Sequence, residues 1–165
     1  MQTIPLGLYI HLPWCERKCP YCDFNSHEAR TIPETDYVDA LLRDLEIDRG
    51  LTGDRPVSTL FIGGGTPSLF SSPAIARLLA GIGSLVELSP SLEATMEANP
   101  GSAEAEKFAG FRAAGINRLS LGVQSFDDVQ LQALGRVHNS DQAGAAVEYA
   151  RAAGFDSINI DLMHG

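Results

Sequence analysis

Cys15, Cys19 and Cys22 fall in the pattern Cys-x3-Cys-x2-Cys, with Pro13 before the run and Pro20 inside it, and they are the only 3 cysteines in the chain. An odd number of thiols leaves one over after disulfide pairing, and disulfides seldom persist in the cytosol. Thiolates are the ligands of iron–sulfur clusters, and a four-iron cubane normally takes four of them. Three would leave one iron free for a ligand from outside the protein. Zinc is the alternative, with a fourth ligand elsewhere, His11 or His27. Zinc ligands usually come in closely spaced pairs, which three clustered thiols match less well. Three unrelated buried thiols would be the plainest explanation, but the close spacing speaks against it.

Other residues could serve a ligand beside such a centre. Gly63-Gly64-Gly65-Thr66-Pro67 brings backbone N–H and C=O groups within reach of a bound molecule, although a tight turn explains a glycine run equally well. It lacks the spacing of a dinucleotide-binding loop and the lysine of a P-loop. Glu97, Gln124, Arg136 and Asp161 are each unremarkable alone. Glu97 could be a solvated strand end, and Arg136 could be a cation closing a helix. Together they offer acceptors for ribose hydroxyls and an ammonium, and a cation for a carboxylate. Those are the needs of a bound amino-acid nucleoside.

The elements that would position these residues alternate. Strands are expected over residues 8–12, 57–62, 91–98, 116–121 and 155–162, the second stopped by the glycine run. Helices are expected over 34–49, from Ser72 as N-cap to Gly83, and over 102–114, 127–134 and 141–153, the last three each followed by glycine. Tyr37, Val38, Leu41, Leu42 and Leu45 form one apolar stripe, and Ile75, Leu78, Leu79 and Ile82 another. On the third strand Leu92, Ala94 and Met96 share one face and Glu93, Thr95 and Glu97 the other. Such alternation specifies an α/β fold with a parallel sheet, open or closed into a barrel. Parallel βα folds place their sites at the carboxyl ends of the strands, where the cysteines, the glycine run, Glu97, Gln124 and Asp161 fall.

The 165 residues suit one domain, and 44% hydrophobic with 20% charged residues is ordinary for a globular chain. With 21 acidic against 12 basic residues the net charge is -9, which disfavours generic nucleic-acid binding. No apolar run is long enough to cross a membrane, and residues 1–7 lack the pattern of a signal peptide, so a cytoplasmic location is expected.

The cysteine loop, with Tyr21 before its last cysteine, resembles the cluster motif of the radical SAM superfamily, and Gly63 to Pro67 resembles that superfamily's methionine-binding glycine motif. More narrowly, Tyr9-Ile10-His11-Leu12-Pro13-Trp14-Cys15 and Pro20-Tyr21-Cys22-Asp23-Phe24-Asn25-Ser26-His27 resemble the HemW haem chaperones, relatives of the oxygen-independent coproporphyrinogen III oxidases. Met96 to Gly101, Arg118 to Phe126, Leu134 to His138 and Asn159 to Gly165 fit the same family. The resemblance implies a partial (βα)6 TIM-like barrel with about five βα units in this chain. Residues 1–165 would be the N-terminal portion of the core domain, the rest of the barrel and a C-terminal domain lying outside it.

It further implies a [4Fe–4S] cluster on Cys15, Cys19 and Cys22. S-adenosylmethionine (SAM) would lie against Tyr9, Tyr21, Gly64, Gly65, Thr66, Glu97, Gln124, Arg136 and Asp161. Haem would be a further ligand, passed to an acceptor protein. The decarboxylating oxidases carry another cysteine two positions beyond the last cluster ligand, where this chain has Phe24. Phe24 therefore fits the chaperone branch, and it could also be a core aromatic behind the loop. His11, His27, His138 and His164 are candidate haem ligands with nothing to choose between them.

Overall fold

The computed structural model describes residues 4–51, 53, 55–101 and 106–164. In chain order its strands are β1 (Leu6–Leu12), β2 (Trp14–Cys15), β3 (His27–Glu28), β4 (Val57–Gly64), β5 (Leu88–Ala98), β6 (Arg118–Gln124) and β7 (Ser157–Leu162). Its helices are α1 (Glu34–Asp48), α2 (Ser72–Leu85), α3 (Phe108–Ala114), α4 (Asp128–Ala133) and α5 (Ser140–Ala152). The long strands form one parallel sheet in the order β1-β4-β5-β6-β7. Each therefore lies beside its successor among the long strands, with helical crossovers between them, as in part of a βα barrel.

Every carboxyl end consequently points the same way. Period-two alternation then sorts the side chains. Ile10, Leu12, Leu60, Ile62, Ala94, Met96, Leu119, Leu121 and Val123 are buried in the core. They meet the stripe Ile75, Leu78, Leu79 and Ile82 of α2, which is buried as expected, and Val38 of α1. The opposite face carries Tyr9, Phe61, Glu97, Ser120 and Asp161, and its polar members gather at the strand ends.

Several boundaries differ from expectation for local reasons. The glycine run does not stop β4: Gly63 and Gly64 continue the ladder opposite His11 and Leu12. Ser71, not Ser72, caps α2, its hydroxyl accepting from the Ala74 N–H at 3.3 Å. That helix passes Gly83 and ends at Leu85. Residues 102–105 of the expected third helix lie outside the described residues, and α3 begins at Phe108. Gly115, Gly135 and Gly154 all hold positive φ after their helices, as the sequence implied. Asn139 and Gln142 form a reciprocal capping box at the start of α5. Sequence patterning missed β2 and β3, because two residues carry no periodicity.

Phe108 is fully buried and meets Phe155 edge-on, with ring centroids 6.4 Å apart. Phe108→Ala should lower stability by about 3–5 kcal/mol through lost burial and a residual cavity. Urea unfolding followed by circular dichroism would measure it.

Candidate functional site

Hydrogen bonds within the protein shape the cysteine loop. Trp14 and Cys15 pair with His27 and Glu28. The His27 N–H donates to Pro13 O at 2.7 Å, and the Ala29 N–H to Cys15 O at 3.1 Å. Within the loop, the Cys22 N–H donates to Cys19 O at 3.0 Å. The Lys18 N–H donates to Glu28 Oε1 at 2.8 Å, while Lys18 Nζ donates to Phe24 O at 3.1 Å. Trp14 anchors the base, packed edge-on against Tyr37 at 4.4 Å between centroids and tilted against Phe70 at 5.7 Å. All three cysteines are free thiols.

The glycine run explains how the loop meets the sheet. The Gly65 N–H donates to Leu12 O at 2.8 Å, and the Thr66 N–H to Trp14 O at 2.7 Å. The Gly64 N–H donates to Glu97 Oε2 at 3.1 Å. These N–H groups are thus engaged inside the protein, and what the run can still offer a ligand is carbonyl oxygen. Gly64 also needs its glycine for conformation, with φ +126°.

One pocket at the strand ends is lined by Cys15, Cys19, Tyr21, Cys22, Gly64, Gly65, Thr66, Glu97, Gln124, Arg136 and Asp161. Of the residues expected to serve cluster or nucleoside, Tyr9 alone is not among those lining it. Tyr9 stands beside this pocket on the open face of β1, stacked on Phe61 and bonded through its hydroxyl to His11 Nδ1 at 2.9 Å. Phe24 is 62% exposed and lines the pocket, so it is not a core aromatic behind the loop.

The polar groups hold one another in place. Asp161 accepts from Ser120 Oγ at 3.1 Å and from Asn159 Nδ2 at 2.7 Å. Burial lifts the Glu97 carboxyl above the ordinary carboxylate range; the Gly64 N–H draws it back, and Asp161 pushes it up again. Gln124 has φ +68°, the one positive value at a non-glycine among the described residues. That backbone costs about 1–2 kcal/mol and turns the chain at an irregularity in the β6–β7 ladder.

Arg136 does not close α4 with its side chain. Its Nη2 instead donates to Asn99 Oδ1 and Gly122 O, both at 2.6 Å, and Nη1 reaches Cys19 Sγ at 3.5 Å. Asn99, Ser120 and Asn159 were not identified from the sequence as supporting residues. Strand alternation could have found Ser120 and Asn159, since both share a face with Asp161. Nothing in the sequence pairs Asn99 with Arg136.

The donor set fits a cluster: three free thiols from one loop line one pocket, and thiolates are the ligands of iron–sulfur clusters, one to an iron. His11 is committed elsewhere, with Nε2 at 2.8 Å from Asn25 O.

The chain is 53% identical to "Heme chaperone HemW" of Haemophilus influenzae and 52% identical to the protein of that name in Escherichia coli, each over 98% of its length. It spans only 43% of the length of these relatives. The solved structure of coproporphyrinogen III oxidase (HemN) from Escherichia coli, described as a radical SAM enzyme, superposes with a TM-score of 0.88 at 34% identity. That match covers 98% of this chain and 37% of the oxidase. The model of the radical SAM superfamily matches residues 9–165. Parallel sheet, cysteine loop and strand-end pocket therefore have one explanation: the chain belongs to the radical SAM superfamily.

Proposed function

We propose that Cys15, Cys19 and Cys22 hold a [4Fe–4S] cluster, that SAM binds beside it, and that the full-length protein is a cytoplasmic haem chaperone passing haem to an acceptor protein. The observation that carries the cofactor part is the single pocket in which three free thiols face Glu97, Gln124, Arg136 and Asp161. When bound, the cluster would supply an iron open to a non-protein ligand and a one-electron couple. The chain's own residues bind and orient. Glu97 and Asp161 accept hydrogen bonds from an ammonium and from ribose hydroxyls, Arg136 offers a cation to a carboxylate, and Gln124 offers an amide from its strained turn. Gly64, Gly65 and Thr66 line the wall between them, and Tyr9 and Tyr21 border it.

The haem-carrying part is supported by 53% identity to a named haem chaperone, against 34% to the oxidase. Phe24 supports it independently. It stands at the rim where the oxidases are expected to carry a thiol, and a phenyl ring cannot coordinate metal or exchange hydrogen as a thiol can. Among the described residues, no helix is long and apolar enough to cross a membrane.

Glu97→Ala and Asp161→Ala should each weaken SAM binding roughly tenfold or more while leaving iron content nearly intact, since a charged hydrogen bond contributes about 1.5–3 kcal/mol. Equilibrium binding to the anaerobically reconstituted full-length protein measures this; unchanged affinity in both would remove these residues from the site.

The same protein, with cluster and SAM present, should bind haem and should not convert coproporphyrinogen III to protoporphyrinogen IX. Anaerobic incubation with product chromatography checks the second point. Steady product over many turnovers would favour the decarboxylase.

A further inference from the structure

We propose that Arg136 tunes the cluster, its guanidinium donating a hydrogen bond to the Cys19 thiolate and so raising the cluster's reduction potential. This rests on the cofactor assignment above and adds to it a residue that acts on a ligand sulfur. Three observations converge on it. Arg136 Nη1 lies 3.5 Å from Cys19 Sγ, within range for a hydrogen bond to sulfur. The guanidinium is held there at its other end, by Asn99 Oδ1 and Gly122 O at 2.6 Å each. Its Nε is buried with no hydrogen-bond partner, so the side chain accepts an unpaired donor to keep this orientation.

The backbone is shaped to the same end. Gly135 has φ +70°, and a Cβ there would stand 2.8 Å from Pro20 Cδ, between Cys19 and Tyr21 in sequence. The turn after α4 therefore rests directly on the cysteine loop and delivers the next residue, Arg136, to Cys19. Two residues later, His138 Nε2 bonds to Val123 O at 3.0 Å, beside the strained Gln124. This strap thus touches both the thiol loop and the end of β6.

The direction of the effect follows from charge. Reduction adds one electron to a cluster already facing Glu97 and Asp161, so it works against two carboxyl groups. A cationic donor on the ligand sulfur stabilises the more negative, reduced form. Arg17 and Arg136 are the arginines lining the pocket, and it is Arg136 whose guanidinium reaches a thiol.

The test is a potentiometric titration with dithionite of the anaerobically reconstituted full-length protein, without SAM, following the paramagnetic signal of the reduced cluster. Iron and sulfide content are measured in parallel. In Arg136→Gln the reduced-to-oxidised ratio at a fixed potential should fall about tenfold, a midpoint about 59 mV more negative for a one-electron couple. Asn99→Ala, which keeps the guanidinium but releases its anchor, should shift the midpoint the same way by less. A wild-type midpoint in Arg136→Gln with full iron content would overturn the proposal. If Arg136→Gln fails to retain iron, Asn99→Ala decides: a lowered midpoint supports the tuning role, and an unmoved one overturns it. Absence of a cluster in the wild-type protein would instead defeat the cofactor assignment.

Discussion

Gly65 passes so close to Trp14 that a Cβ on it would stand 2.5 Å from the Trp14 carbonyl oxygen. No other residue type can occupy that position without moving backbone. The contact lets two N–H groups at the end of β4 bond to Leu12 O and Trp14 O, which ties the start of the cysteine loop to the sheet. Everything in the site depends on that tie. It sets where Cys15 leaves the sheet, which face the thiols present, and how near they stand to Glu97, itself bonded to the neighbouring Gly64 N–H.

The arrangement also explains how polar groups are held in a half-buried place. Asp161 is held by Ser120 and Asn159, Glu97 by backbone, and Arg136 by Asn99 and Gly122. Pairing offsets part of the desolvation penalty that partial burial imposes on each. Two carboxyl groups facing one pocket repel each other, and the raised pKa of Glu97 records this after burial itself. An incoming cationic ligand would relieve that repulsion.

Much of this was legible in the sequence, because strand ends in a parallel βα fold collect the site. Cys15, Gly64, Glu97, Gln124 and Asp161 were placed by strand assignment alone, and the stripe on α2 by its spacing. What could not be read is tertiary. The two-residue pairing of Trp14–Cys15 with His27–Glu28 has no periodic signal. The sequence leaves Arg136 open between a cation closing a helix and a cation for a ligand carboxylate, because its partners, Asn99, Gly122 and Cys19, are distant in sequence. The role of the glycine run was open between turn and ligand cradle. The structure shows it serving the loop through its N–H groups, continuing a strand rather than turning. Phe24 was compatible with a buried position, and only the folded loop puts it at the rim.

In the proposed site Cys15, Cys19 and Cys22 together hold four irons and leave one of them open. Mössbauer spectroscopy of the full-length protein, reconstituted anaerobically with iron-57 and sulfide and examined with and without SAM, tests it most directly. The three-thiolate site requires about four irons per chain, with one iron changing its spectrum when SAM is added, and loss of the cluster when any one of the three cysteines becomes alanine. Preferential loading of zinc with iron in excess, or irons that stay equivalent in the presence of SAM, would contradict it.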